Sequence, residues 1–127
     1  MIRSTIIPSV DFECIEANAT AAWLNGKSQI RSADRERYGM EDQIVGQMGE
    51  YALAKFLGDT KAYFDRREIM NLTPWRGDDG SDFDGRPIDI KTSLMRASGD
   101  PMRYNLLVRP RERHDSNVYV LGLVPSV

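Results

Sequence analysis

The sequence is 127 residues long, which is the usual length of one compact domain. Hydrophobic residues make up 41% and charged residues 28%, proportions that exclude a disordered chain. The single cysteine, Cys14, excludes an internal disulfide and a cysteine zinc cluster, and the single histidine, His114, excludes a histidine-rich metal site. The longest apolar stretch, residues 118–124, is too short to cross a bilayer, and residues 1–10 lack the long apolar segment that is typical of a secretory signal. We therefore expect a reduced, cytoplasmic protein with one domain, residues 1–127, and Cys14 as a small buried hydrophobe.

Charge is distributed unevenly along the chain, although the net charge is only −2. Residues 11–59 include five basic and nine acidic residues, whereas residues 91–114 include six basic and two acidic residues. Proteins that coat nucleic acid are usually basic overall, so the net charge argues against that class. The asymmetry by itself is typical of an ordinary solvated surface.

Helical patterns dominate the first half of the chain. Residues 11–24 predict a helix that ends at Asn25-Gly26. Residues 27–38 are polar and predict an exposed connection. A second helix is predicted over residues 41–57, ending at Gly58, because apolar residues recur at three- and four-residue steps. Its apolar stripe consists of Ile44, Val45, Met48, Ala52 and Phe56.

The second half of the chain predicts extended structure. Residues 62–64 and 69–70 are short apolar groups that predict a strand or an irregular extended segment. Asp84-Gly85 is typical of a tight turn and predicts a β-hairpin over residues 81–92. Two further strands are predicted over residues 104–108 and 118–124. The order of elements predicts an α/β (α+β) fold, with a central mixed β-sheet flanked by the N-terminal helices.

One arm of the predicted hairpin carries an acid and a base on the same face. In residues 88–92 the alternation places Asp89 and Lys91 on one face and the isoleucines on the other, towards the helices. A carboxylate there is able to bind a divalent cation, and an ammonium group orients a water or stabilises phosphate charge. The same spacing occurs at Asp59 and Lys61, but it follows a helix-ending Gly58 and indicates a solvated turn.

Asp82 is a second candidate for this site. If Asp84-Gly85 forms a two-residue turn, Asp82 lies diagonally across from Asp89, roughly 7–8 Å away at the backbone. Two carboxylates on one face repel each other unless Mg²⁺ or Mn²⁺ binds between them. An exposed acidic turn explains Asp82 equally well, so the residue alone does not decide between the two interpretations.

Glu50 is a third candidate, on the second predicted helix. It lies at the border of the apolar stripe, and two glycines in that helix, Gly46 and Gly49, each lower helix propensity by about 1 kcal/mol relative to alanine. One explanation is that the helix lies very close to another backbone and brings Glu50 to the sheet edge. Tight helix packing with an exposed Glu50 is the alternative.

The order of these motifs is Gly46-Gln47-Met48-Gly49-Glu50 on a helix, Asp82 between Gly80 and Gly85, and Asp89-Ile90-Lys91-Thr92-Ser93 on a strand. This order resembles the PD-(D/E)xK nuclease superfamily with its restriction-endonuclease-like fold, and it is most similar to small single-domain bacterial and bacteriophage members. Residues 41–127 would form the core, whereas residues 1–40 are a helix and connection without a family signature. Two features depart from the pattern: Ser81 precedes Asp82 where proline is usual, and residues 95–117 show no clear helix.

The resemblance implies a metal-dependent DNA nuclease, and it favours an endonuclease that hydrolyses phosphodiester bonds by metal-activated water. The implied ligands of Mg²⁺ or Mn²⁺ are Asp82, Asp89, Glu50 and the backbone carbonyl of Ile90, while Lys91 would position the attacking water. Duplex cleavage by so small a domain implies a homodimer in a bacterial or phage-infected cell. The basic residues after the site then become candidates for binding DNA phosphates: Arg96, Arg103, Arg109, Arg111 and Arg113.

Two other functions fit the same residues. The low net charge and the missing helix favour a catalytically inactive module that keeps the nuclease fold and binds DNA or protein. A small phosphate-ester hydrolase without specificity for nucleic acid is the third hypothesis. Cleavage assays with substituted Asp89 and Lys91 discriminate between the three.

Overall fold

The computed structural model describes residues 3–26, 32–72, 88–96, 98–106 and 118–126. Within these residues, three helices precede a small parallel sheet of two strands, so the fold is mixed α+β, as the order of elements predicts. No helix in these ranges is long and apolar enough to span a membrane. The helices and strands are α1 (Ser9–Gly26), α2 (Ser32–Phe56), α3 (Thr60–Leu72), β1 (Ile88–Leu94) and β2 (Val118–Val124).

Helix α2 is interrupted near its first third by Gly39. The backbone of Gly39 has φ 38° and ψ −142°, a left-handed conformation that glycine adopts without the steric cost of a side chain. The helix predicted over residues 41–57 therefore corresponds to the part of α2 after this break. The exposed connection predicted over residues 27–38 is wrong for residues 32–38, which are helical. Alanine, arginine and glutamate in that stretch favour a helix even without an apolar stripe.

A tight turn joins α2 to α3. Gly58, with φ 75°, ends α2 as predicted, and two backbone bonds close its last turn: Gly58 N–H to Lys55 carbonyl at 3.1 Å and Asp59 N–H to Ala54 carbonyl at 2.9 Å. The Asp59 carboxylate then accepts the Ala62 backbone N–H at 3.1 Å and caps the start of α3. Asp59 is thus a helix cap and not part of a solvated turn. The extended structure predicted over residues 62–64 and 69–70 is wrong, because this cap starts a helix there.

The core lies between the three helices and the inner face of the sheet. Its buried side chains include Ile15 of α1, Tyr51 of α2 and Tyr63 of α3. The ring centroids of Tyr51 and Tyr63 are 5.7 Å apart, and those of Tyr63 and Phe64 are 5.0 Å apart, both in edge-to-face packing. Phe56, predicted in the apolar stripe, is 61% exposed because it is the last residue of α2. Cys14 of α1 is also exposed and not buried.

Strands β1 and β2 pair in parallel, with Ile88 opposite Val118 and Leu94 opposite Val124. Ile88, Ile90 and Val120 pack against the helical core, so the predicted inward direction of the isoleucines is confirmed. A parallel pair needs a long crossover connection, and residues 95–117 provide it.

The described part of this crossover contains a short 3₁₀ turn, Pro101–Arg103, capped by the Asp100 carboxylate. Residues 104–106 are not in a strand, contrary to the prediction for residues 104–108, of which 107 and 108 lie outside the described residues. The Tyr104 hydroxyl instead donates to the Ser98 carbonyl at 2.5 Å, which folds this side chain back onto its own loop. The predicted first arm of the hairpin, with Asp84-Gly85, also lies outside the described residues.

Candidate functional site

Asp89 and Lys91 lie on the same face of β1, on the side opposite the isoleucines. The Lys91 Nζ is 3.2 Å from Asp89 Oδ2, and the two side chains are 30% and 4% exposed respectively. A carboxylate that is nearly removed from water needs a compensating charge, and the Lys91 ammonium supplies one. The site therefore holds a buried acid whose charge is balanced by a base that still reaches solvent.

Helix α2 meets this strand at a point of very close approach. A Cβ atom built on Gly49 would lie 2.9 Å from Thr92 Cβ and closer still to Thr92 Oγ1, so a side chain larger than hydrogen does not fit. Gly122 of β2 also lies at this contact, since a Cβ there would be 3.1 Å from Thr92 Oγ1. A close approach of the helix is thus found at Gly49, against the side chain of Thr92 of the strand, but a Cβ at Gly46 would meet no described atom within 4 Å. Thr92 alternates with Lys91 along the strand, so this contact lies on the isoleucine face of β1, opposite the face that carries Asp89 and Lys91.

Glu50 is neither exposed nor free. Its side chain is 16% exposed, and its Oε2 accepts two bonds from Arg67 of α3, from Nη2 at 2.5 Å and from Nε at 3.1 Å. Arg67 is itself buried, with 7% of the residue exposed. The alternative interpretation, in which the helix packs tightly and Glu50 is exposed, is therefore wrong. Its described partner is an arginine on the neighbouring helix.

A second polar contact joins the same two helices one turn away. The Tyr63 hydroxyl donates to Gln47 Oε1 at 2.9 Å, and Asn18 of α1 lies 3.5 Å from the same hydroxyl. Burial raises the pKa of Tyr63 to about 12, so the hydroxyl keeps its proton and stays a donor at neutral pH. The Gln47 Nε2 is buried and has no hydrogen-bond partner among the described residues. Glu50 thus lies next to a small group of polar side chains within a core that is otherwise mainly aromatic.

The arginines predicted to bind phosphate fall into two groups. Arg96 is 64% exposed at its side chain but pairs with Glu41 of α2, whose neighbour Asp42 has a pKa raised mainly by burial. Arg103 is 75% exposed and lies 4.0 Å from the Asp100 carboxylate. Both side chains therefore reach solvent next to an acid that partly offsets their charge. The other three predicted positions lie outside the described residues: Arg109, Arg111 and Arg113.

The chemistry of the site suits a hard divalent cation only in part. Asp89 supplies a carboxylate and Ile90 a backbone carbonyl, both oxygen donors of the kind that Mg²⁺ prefers. Asp82 lies outside the described residues, and within them no group of three or more acids, histidines and cysteines converges. Both arginine bonds go to Glu50 Oε2, and no described residue donates to Oε1. The donor set fits in kind, with Asp89 as its clearest member.

Arg67 is the residue of this region that the sequence pattern missed. The prediction of extended structure over residues 62–64 and 69–70 leaves Arg67 outside any predicted element and gives Tyr63 no relation to α2. As a helix, the same stretch puts them four residues apart on one face, towards Gln47 and Glu50. The four-residue spacing between Tyr63 and Arg67, which is about one helical turn, was the sequence signal that would have identified Arg67.

Comparison with known proteins gives no relative for this chain. No protein-family model, no curated protein and no solved structure matches it.

Proposed function

We propose that this protein is a metal-dependent DNA nuclease, and specifically an endonuclease, that hydrolyses phosphodiester bonds. The observation that carries the proposal is the pair of Asp89 and Lys91, with Nζ 3.2 Å from a carboxylate that is 4% exposed. Burying a carboxylate costs free energy, so a chain rarely places one on a sheet without a use for it. A lysine that reaches solvent beside a buried acid suits a substrate that carries negative charge.

The ligands in this proposal are Asp89, the Ile90 carbonyl, Asp82 and Glu50, the last directly or through water. Bound Mg²⁺ or Mn²⁺ would supply Lewis acidity, which makes water more acidic and draws charge from phosphate oxygens. Asp89 would anchor the cation, and its Oδ2 pairs with the ammonium of Lys91, whose side chain is 30% exposed. Lys91 orients the attacking water by hydrogen bonding and stabilises the charge that develops on the phosphoryl oxygens.

The arrangement of elements supports a restriction-endonuclease-like core for the same reason. A helix that bears Glu50 packs on a strand that bears Asp89 and Lys91, at the Gly49 contact. That strand pairs in parallel with β2 after a crossover.

DNA is the proposed substrate because the basic segment follows the site in the chain. Arg96 and Arg103 have exposed side chains, and they would contact backbone phosphates together with Arg109, Arg111 and Arg113. A homodimer in the cytoplasm, with one site for each strand of the duplex, fits the small size of the domain.

One observation favours a second function, a catalytically inactive nuclease-fold module that binds DNA or protein. Both Arg67 bonds to Glu50 neutralise a carboxylate that a two-carboxylate metal site would need. In that case the Asp89–Lys91 pair would be a structural ion pair, and Arg96 and Arg103 would serve binding alone.

Cleavage assays separate these proposals. Purified protein is incubated with plasmid, linear and branched DNA in Mg²⁺, Mn²⁺ or EDTA. We expect cation-dependent cleavage, which Asp89→Ala abolishes and Lys91→Ala lowers by about 10²-fold or more. The matched controls are Asp65→Ala and Lys61→Ala, which remove an exposed acid–lysine pair of 2.6 Å on α3 and should leave the rate unchanged. Cleavage that survives Asp89→Ala contradicts the site, and DNA binding without any cleavage supports the inactive module.

A further inference from the structure

The loop after β1 is held together by hydrogen bonds among its own residues. The Tyr104 hydroxyl joins the two ends of the loop, because it donates to the Ser98 carbonyl at 2.5 Å and accepts the Ser98 backbone N–H at 2.9 Å. Inside the loop, the Asp100 carboxylate accepts the Met102 backbone N–H at 3.0 Å. Residues 98–104, which we call the tip loop, are therefore ordered by contacts within the loop itself.

Two side chains of the tip loop reach far into solvent. Met102 is 78% exposed, and the side chain of Arg103 is 75% exposed. Burying a methionine side chain favours folding, so a loop of this kind gains stability when its methionine turns inward. Here Tyr104 makes the inner contact and is half-buried, while the methionine is left in water. The tip loop thus presents an apolar side chain next to a cation, on a 3₁₀ turn that begins at Pro101.

The charge of this part of the chain favours a polyanion as the partner. Residues 91–114 include six basic and two acidic residues, in a chain whose net charge is −2. Asp100 is the one acid in the sequence of the tip loop. Its carboxylate is shared between the Met102 N–H at 3.0 Å and Arg103 Nε at 4.0 Å, so it offsets the guanidinium only in part. Duplex DNA, with one negative charge per about 1.7 Å of its axis, complements this segment.

The tip loop also lies near the strand that carries Asp89 and Lys91. Ser98 follows Lys91 by seven residues, and because each residue spans at most about 3.5 Å, the two lie within roughly 25 Å of each other. One turn of duplex DNA is about 34 Å long. A duplex that contacts Lys91 therefore has the tip loop within one helical turn.

We propose that the tip loop enters the minor groove of duplex DNA, with Met102 as an apolar wedge between base pairs and Arg103 beside it in the groove. Proteins that bind this groove combine arginine with apolar wedges, methionine and proline among them, and kink the duplex by about 20–90°. The minor groove is about 6 Å wide, so it admits a narrow turn but not a helix. This inference rests on the proposed function for its partner, DNA, but it needs no bound cation.

Equilibrium binding to DNA tests this proposal without a cleavage assay. Fluorescence anisotropy of a labelled duplex of about 20 base pairs, in EDTA, gives the Kd of the full chain and of its Met102 variants. We expect Met102→Ala to raise the Kd about 10-fold, because the apolar contact with the bases is lost. Met102→Leu keeps an apolar wedge of similar volume and should stay within about 2-fold of the wild type. The matched control is Ile6→Ala, which removes a similarly exposed apolar side chain (81%) outside this segment and should leave the Kd unchanged.

Bending of the duplex separates a wedge from a contact with the DNA surface. With a dye at each end of the duplex, energy transfer rises when the duplex kinks, and we expect this rise with the wild type and Met102→Leu but not with Met102→Ala. Arg103→Gln should lower the slope of log Kd against log salt by about 1, whereas Met102→Ala should leave that slope unchanged. Unchanged Kd and bending in Met102→Ala overturn the proposal, as does wild-type protein that binds the duplex without bending it. Wild-type protein that binds no duplex also overturns it and favours a protein as the partner of the tip loop.

The outcomes for the proposed function stay distinct. Wild-type protein that bends DNA in a Met102-dependent way but cleaves none in Mg²⁺ or Mn²⁺ supports the role of the tip loop and contradicts the nuclease. Protein that cleaves DNA, with unchanged Kd and bending in Met102→Ala, supports the nuclease and contradicts the role of the tip loop.

Discussion

Two glycines in the same helix should respond in opposite directions to the same substitution. Gly49→Ala and Gly46→Ala both replace glycine by alanine within α2, so each gains about 1 kcal/mol of helix propensity. At Gly46 the new methyl group meets no described atom within 4 Å, and the gain should appear in full. At Gly49 it would lie 2.9 Å from Thr92 Cβ and would overlap Thr92 Oγ1. Overpacking of this kind costs about 1–3 kcal/mol, because helix and strand must move apart.

The difference between the two variants isolates the contact. Propensity cancels in the comparison, so Gly49→Ala should be about 1–3 kcal/mol less stable than Gly46→Ala. Urea unfolding followed by circular dichroism gives both free energies of unfolding with a common slope. Thr92→Ala in the Gly49→Ala background removes Oγ1 and Cγ2 and should recover part of the loss. Equal stability of the two alanine variants would refute the close approach of α2 to β1.

Three further predictions concern the α2–α3 region. Arg67→Met leaves Glu50 buried without its partner and should lower the free energy of unfolding by about 3 kcal/mol in urea titrations, whereas a loss below 1 kcal/mol would contradict the burial of the pair. Gly58→Ala forces a side chain into φ 75° and should cost about 1 kcal/mol in the same assay, and no loss would contradict the left-handed turn. The pKa values of Tyr51 and Tyr63 are raised by burial to about 12, from the usual value near 10. The unfolded chain therefore releases these protons at lower pH than the folded chain, so the free energy of unfolding is at its full value below pH 10 and falls as the pH rises to 12. Ultraviolet titration of the folded protein should show two tyrosines that ionise late. Tyr63→Phe should reduce the slope of the free energy of unfolding against pH in this range.

The sequence predicted the elements whose own patterns are strong. Helix α1 and the second part of α2 have clear end signals at Gly26 and Gly58, and both appear where predicted. Strand β1 shows strict alternation, which placed Asp89 and Lys91 on one face and Ile88 and Ile90 on the other. Period-two geometry needs no tertiary information, so the central pair of the site could be predicted without a structure.

The rest depended on contacts between distant segments. Residues 60–72 include strong helix formers such as Lys61 and Arg66, but their apolar residues fall in two short groups, 62–64 and 69–70, that do not form a clear helical stripe. The Asp59 cap and the packing of Tyr63 favour the helix. Arg67 reaches Glu50 because residues 60–72 form a helix, and without that helix the sequence pattern did not predict Arg67 as the partner of Glu50. The direction of pairing between β1 and β2 also depends on where the crossover leads the chain, which no local pattern specifies.

The parallel pairing of β1 and β2 has a kinetic consequence. Residues 95–117 must close a long loop before the two strands meet, whereas α2 and α3 are joined by one tight turn and meet locally. Contacts between distant residues form slowly because loop entropy is lost before they contribute. We therefore expect amide protons of the helical pair to become protected from hydrogen exchange before those of the sheet during refolding. The strand with Asp89 and Lys91 would then be assembled late, on a helical surface that already exists.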